Sequence, residues 1–264
     1  MIKRIITASI IIILLLIIFN LPNIILNITL LTIIYLASLE FSQFAKLNFR
    51  SSHIFAICMI ILYFLANMIK LKLILILANI WWFLAVLLII FHENTYKIWK
   101  NNQIIIIIFA ILSIIPAAIA MQHIYLMNKY LLLFFIFFIS MADIIAYFIG
   151  KFFGNHLLCI KISPKKTWEG FLSGIMGSTI IFWLGNKFFY NFNNILFLIV
   201  ISVIIISLAL FGDLFESMLK RSINIKDSSN LLPGHGGILD RLDSIIATAP
   251  IFLLVILYTQ NGYL

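Results

Sequence analysis

Charge is what this chain has least of. Only 10% of its 264 residues are Asp, Glu, Lys or Arg, against roughly 25% in soluble domains. With 64% apolar residues, a water-soluble fold would have to hide most of the chain, whereas lipid solvates the outer faces of a helix bundle directly. A soluble globular class is thereby excluded. Acids are scarcer still: nine Asp and Glu against 18 Lys and Arg leave a net charge of +9. That balance favours anionic partners, and at a membrane surface these are lipid headgroups or phosphorylated substrates rather than nucleic acid. The two cysteines, Cys58 in an apolar run and Cys159 in a basic loop, have no spacing for a metal site or a disulfide, so redox chemistry is not expected.

Long apolar runs take the place of the missing charge. Segments 4–20, 24–40, 54–70, 72–91, 104–121, 130–150, 170–190, 194–214 and 244–259 are each long enough to cross a bilayer, with polar or Pro/Asn breaks between them. The pattern predicts an all-α, polytopic bundle of about nine transmembrane helices forming one integral membrane domain over 1–264. The first two runs are near the lower length limit. Lys3, Arg4 and the run to Phe19 resemble a signal peptide, but no small-x-small cleavage pattern precedes Leu21-Pro22-Asn23, so the segment is read as a retained first span.

With a cytoplasmic N-terminus, this topology leaves Lys70, Lys72, Lys129 and Lys187 outside, beside helix ends, and the other 14 of the 18 basic residues inside. All nine acids fall toward the same inner side. Chemistry gathered on one surface argues against a pump or channel, which spreads polar groups along a path through the bilayer. His53, His92, His123 and His156 stand singly near span ends and are read as interface residues, and Glu169 as a local cap or ion-pair partner. The chain is expected to divide into N-terminal helices, 1–128, and a C-terminal part, 129–264, whose cytoplasmic loops at 151–169 and 215–243 are the candidates for chemistry.

The second of these loops carries the densest chemistry, from Ser217 to Asp243. Pro233, Gly234, Gly236 and Gly237 suit a tight turn whose bare backbone can approach a phosphate, with His235 at its centre. Asp240 and Asp243, three apart at the start of the last helix, share a face and can hold a divalent cation. Asp213 is read as the end of the eighth helix, with Ser217 and Lys220 at i+4 and i+7. Carboxylates for a metal, and Lys or Arg for the transferred phosphorus and leaving pyrophosphate, are what nucleotidyl transfer requires. Asp143 stands alone in the sixth span, roughly 12 Å of helix before Lys151. An acid there costs about 2.5 to 3.5 kcal/mol, so it should face the bundle interior.

The spacing Ser217-x-x-Lys220-Arg221, Lys226-Asp227 and His235-Gly-Gly-x-x-Asp240-Arg241-x-x-Asp243 resembles the signature of the phosphatidate cytidylyltransferase family, the CDP-diacylglycerol synthases. The run Ser163-Pro-Lys165-Lys166-Thr167 is similar to another stretch of that family. The resemblance implies Mg2+-dependent attack of a phosphatidic acid oxygen on the α-phosphorus of CTP, without a covalent intermediate, at the cytoplasmic face of a bacterial inner membrane. It implies metal-binding carboxylates at Asp213 and Asp240, with Asp243 in the same cluster, and phosphate contacts from Lys220, Arg221, Lys226 and Arg241. Ser163, Lys165, Lys166 and Thr167 are then candidates for CTP, and Ser217, His235, Gly236, Gly237 and Asp143 for substrate binding more broadly. Membrane lipid, CTP and phosphatidic acid are the implied partners, and a homodimer is left open. A CTP transferase acting on another lipid phosphate is the nearest alternative, and a non-enzymatic transporter the most distant.

Overall fold

Asparagine opens four of the long helices. Asn48, Asn102, Asn128 and Asn194 each turn a side-chain oxygen onto backbone N–H groups of the first turn that have no partner within the helix. In the computed structural model, which describes residues 19, 21–189, 194–231 and 236–260, the long helices are α1 (Asn23–Phe44), α2 (Phe49–Ala66), α3 (Leu71–Ile90), α5 (Gln103–Met127), α6 (Lys129–Phe153), α7 (Trp168–Phe189), α8 (Ile195–Ser222) and α9 (Leu239–Gln260). A short helix, α4 (His92–Trp99), follows α3, and a two-stranded antiparallel hairpin, β1 (Leu157–Cys159) and β2 (Ser163–Thr167), joins α6 to α7. Seven of the described helices are long and apolar enough to span a bilayer. The fold is an all-α polytopic membrane protein. The first expected span, 4–20, lies almost wholly outside the described residues.

In lipid every backbone amide must be satisfied within its own segment, and the helices accordingly run on past the apolar windows that reveal them. Two boundaries bear on function. The second apolar run is not marginal: α1 has 22 residues and ends at Phe44. And Asp213 does not end its helix, because α8 continues two further turns to Ser222. It stops where Asn224 adopts a left-handed conformation (φ 59°) and the Ile225 N–H bonds back to the Lys220 carbonyl. The connection to α9 is therefore shorter than the polar stretch from Ser217 to Asp243.

α5 is the most buried spanning helix and packs against α9, α1, α6, α3 and α2. Around it Trp81 of α3, Phe109 of α5 and Phe215 of α8 form an aromatic knot, with the Trp81 indole N–H donating to Ser113 at 3.0 Å. The molecule has two polar ends. At one, Lys161 of the hairpin turn pairs with Glu93 of α4, and Glu40 of α1 bonds to Ser228 between α8 and α9. At the other, Lys72 lies over the Tyr258 ring and Lys129 donates to the Phe19 carbonyl. The hairpin and the α8–α9 connection thus share one end of the bundle.

Candidate active site

Glycines set the helix crossings that enclose the site. A Cβ on Gly170 of α7 would lie 2.6 Å from the Ala146 carbonyl oxygen of α6, and one on Gly212 of α8 would lie 2.6 Å from the Asp243 carbonyl oxygen of α9. With hydrogen alone in those places, α6 meets α7 and α8 meets α9 backbone to backbone. Between the two pairs, capped by β2, is a cavity of about 720 Å³.

The cavity has two kinds of wall. Asp143, Ser163, Lys165, Lys166, Thr167, Asp213, Asp240, Arg241 and Asp243 give it polar lining, while Ala142, Ala146, Phe171, Ile206, Ala209 and Leu210 are apolar. The two basic and acidic segments noted in the sequence meet here: Lys166 Nζ of β2 is 2.5 Å from Asp213 Oδ2 of α8. Asp143 has Lys166, Asp213, Ser244 and Arg241 as electrostatic neighbours, and Asp243 has Asp213, Asp143 and Lys166. Three helices therefore bring three carboxylates toward one another, with the Lys166 ammonium among them. Ser217 donates to Asp213 Oδ1 at 3.2 Å from one turn away and so orients that carboxylate. Among the described residues, no three acid, His or Cys side chains already stand at ligating distance from a common point.

Asp240 lines the cavity at the start of α9, as expected, and is also bound into the α8–α9 connection. Its Oδ2 accepts from the Ser228 N–H (2.8 Å), the Ser228 hydroxyl (3.0 Å) and the Gly237 N–H (2.8 Å), while Lys220 Nζ lies 2.5 Å from Oδ1. Most of its hydrogen-bonding capacity is spent holding the α8–α9 connection. Lys220, expected at phosphates, is buried and bridges Asp240 and Glu216, whose Oε1 is 3.2 Å away. Gly236, in a left-handed conformation (φ 83°), and Gly237 admit carboxylates rather than standing open to a phosphate. A Cβ on the first would come within 2.5 Å of Asp240 Oδ2, and one on the second within 2.5 Å of Glu40 Oε2. Arg221 donates to the Ile225 carbonyl, and both it and Lys226 are exposed away from the cavity. Thr167 lines the cavity, and its hydroxyl oxygen accepts the Gly170 N–H, capping α7. His235 lies outside the described residues.

Two buried acids went unassigned in the sequence. Glu216 announced itself only as i−4 from Lys220. Glu40 gave no signal, because its partners are nearly two hundred residues away. At the rim, Glu169 accepts from the His156 backbone and pairs with its ring at 2.6 Å, pinning the start of the hairpin to α7.

Comparison with known proteins fits this geometry. The model of the "Cytidylyltransferase family" matches residues 2–259. The chain is 38% identical over 195 residues to the phosphatidate cytidylyltransferase of Haemophilus influenzae, covering 69% of this chain and 67% of that enzyme. It is 33% identical over 216 residues to the phosphatidate cytidylyltransferase of Pseudomonas aeruginosa, covering 80% and 77%. Against the phosphatidate cytidylyltransferase of Rickettsia bellii it is 42% identical over 137 residues, which is 48% of this chain and 58% of that enzyme. A polar cavity built from the two signature segments and a match along nearly the whole sequence lead to one conclusion: this chain is a membrane nucleotidyltransferase of the cytidylyltransferase family.

Proposed function

We propose that the chain transfers the cytidylyl group of CTP to phosphatidic acid, giving CDP-diacylglycerol and pyrophosphate, with Mg2+, at the cytoplasmic face of a bacterial inner membrane. The observation that carries this reading is the two-sided lining of the cavity. Lys165, Lys166, Arg241 and carboxylates face its polar part and six small or apolar residues its other part. Such a space suits a triphosphate meeting a lipid phosphate whose acyl chains stay in an apolar environment.

Lys165 and Lys166 of β2 bind the phosphate chain as point charges, and Ser163 offers a hydroxyl donor beside them. The phosphatidate oxygen attacks the α-phosphorus in line. The bond from that phosphorus to the bridging oxygen breaks, and pyrophosphate departs with its charge met by the same lysines and Arg241. No covalent link to the protein is needed, so catalysis rests on positioning and on charge already in place. The donor set suits a hard cation: Asp213 and Asp243 would hold Mg2+, with Asp143 alongside, since oxygen ligands are what that ion prefers. Once bound, the ion neutralises triphosphate charge. Lys166, now paired with Asp213, would release that carboxylate and turn to the phosphates.

A substrate-pair assay tests the proposal. Purified protein in detergent or vesicles is given each nucleoside triphosphate with each of several lipid phosphates, with Mg2+ or with a chelator. CTP with phosphatidate and Mg2+ is expected to give the fastest turnover. Preference for another lipid phosphate would assign the cavity to a sister reaction, and turnover undiminished by chelator would remove the metal from the account.

A further inference from the structure

Glu40 lies on α1, far in sequence from the signature segments, and is 1% exposed. Among the described residues no Lys, Arg or His pairs with it. Four donors close on it instead. Its Oε2 accepts from the Ser228 hydroxyl and the Leu239 N–H, both at 2.8 Å, and its Oε1 from the Ser229 hydroxyl at 2.6 Å and the Ile238 N–H at 2.9 Å. A buried carboxylate needs such compensation, and here all of it comes from one stretch, 228–239. Ile238 and Leu239 are the entry to α9, so Glu40 caps from another helix a terminus whose N–H groups would otherwise lack partners. The Ser228 hydroxyl sits between Glu40 and Asp240, 2.8 Å from one and 3.0 Å from the other, so its single proton is shared between the two carboxylates. Gly237 has no room for a side chain because Glu40 and Ser228 fill the space.

The first turn of α9 carries Asp240 and Arg241 and the next begins with Asp243, all on the cavity wall, whereas Glu40 does not line the cavity. We propose that Glu40 is a positioning residue for the transfer reaction: without touching substrate, its carboxylate sets where that turn meets the cavity. The inference rests on the function proposed above. A packing role would be served by any side chain of the same size. A positioning role needs two acceptor oxygens, which glutamine cannot provide because its amide nitrogen faces donors.

The experiment compares Glu40→Gln, Glu40→Asp and Ser229→Ala in full-length protein. A misplacement on the order of 1 Å costs about 100-fold in rate, so Glu40→Gln is expected to lower kcat about 100-fold while each KM moves less than about 3-fold. Glu40→Asp, which keeps both acceptors on a shorter stem, should recover part of that loss. Ser229→Ala, one donor of four, should cost a few-fold, and combining it with Glu40→Gln should add nothing beyond Glu40→Gln alone, as expected of residues acting as a unit. Hydrogen exchange at the Ile238 and Leu239 amides, measured without substrate, should speed up in Glu40→Gln while α5 stays protected. Wild-type kcat in Glu40→Gln, or a loss confined to KM, would overturn the proposal. If Glu40→Gln is not recovered folded, wild-type kcat in Ser229→Ala overturns it. Absence of CTP and phosphatidate turnover in the wild-type protein would instead contradict the proposed function, leaving the amide exchange to judge the clamp.

Discussion

Besides the Lys166–Asp213 pair, two sets of polar contacts lie at one polar end of this bundle, and they differ in burial. Around the α8–α9 connection, Lys220, Asp240 and Glu216 form a buried group, with side chains 10% exposed or less. Around the hairpin, Lys161 meets Glu93 and His156 meets Glu169 at the open rim. Water screens the rim pairs and competes for their partners, so their net worth is small. The inner group has exchanged hydration for its own contacts, and removing Lys220 leaves two buried carboxyl groups without their shared cation. Through Asp240 the inner group reaches the cavity wall, whereas the rim pairs hold the hairpin against α4 and α7.

The largest effect should come where charge meets substrate. Asp243→Asn is expected to lower turnover by about 1,000-fold or more, through loss of a carboxylate at the metal position. It should also weaken Mn2+ binding, followed by electron paramagnetic resonance in place of Mg2+. Retained activity would move the metal site elsewhere.

Lys220→Met should come next, and its effect should be on folding. Stranding Asp240 and Glu216 is expected to cost about 3 to 5 kcal/mol, read as reduced yield and an earlier unfolding transition in detergent. A stable protein with normal melting but impaired CTP binding would instead return Lys220 to the phosphates, where the sequence reading placed it. Lys166→Gln should be gentler on stability. Loss of one charge-assisted contact to phosphate, worth about 1.5 to 3 kcal/mol, should lower kcat/KM for CTP by about 10- to 100-fold.

The smallest effect is expected at the rim. The Lys161 ammonium holds the Glu93 carboxyl below the usual carboxylate range. The pair's contribution to stability is therefore present above the unfolded-state pKa and lost as pH falls through the depressed folded value. Because Glu93 is exposed, Glu93→Gln should move the melting midpoint by only about 1 °C. A larger shift would mean that the hairpin tether matters as much as the inner network, and the contrast between the two regions would fail.

Much of the architecture could be read from the letters, because a bilayer admits few solutions: long apolar runs must be helices, and eight of the expected runs overlap described long helices, seven of which, all but α7, are long and apolar enough to span. The additions are short polar pieces, α4 and the hairpin, which carry no apolar run to reveal them. The cavity was legible in part. Asp143 stood out because an acid inside an apolar span needs a reason, and Lys165, Lys166 and Asp213 because their types suit phosphate and metal. The pairing of Lys220 with Asp240 was not legible, since type and spacing alike fit a phosphate contact or a structural pair, and the continuation of α8 to Ser222 is what carries Lys220 to Asp240. Glu40 could not be found at all, its partners being fixed by tertiary packing of α1 on the entry to α9.

The central claim is direct nucleotidyl transfer in the cavity between β2, α6, α8 and α9. It is tested by giving the purified protein phosphatidate vesicles with CTP labelled at either the α- or the γ-phosphorus, alongside an Asp213→Asn variant with unchanged melting. The α-label should appear in lipid and the γ-label in pyrophosphate, in equal amounts, with the variant at background. Label from the γ-position in lipid, or equal transfer by the variant, would contradict the account.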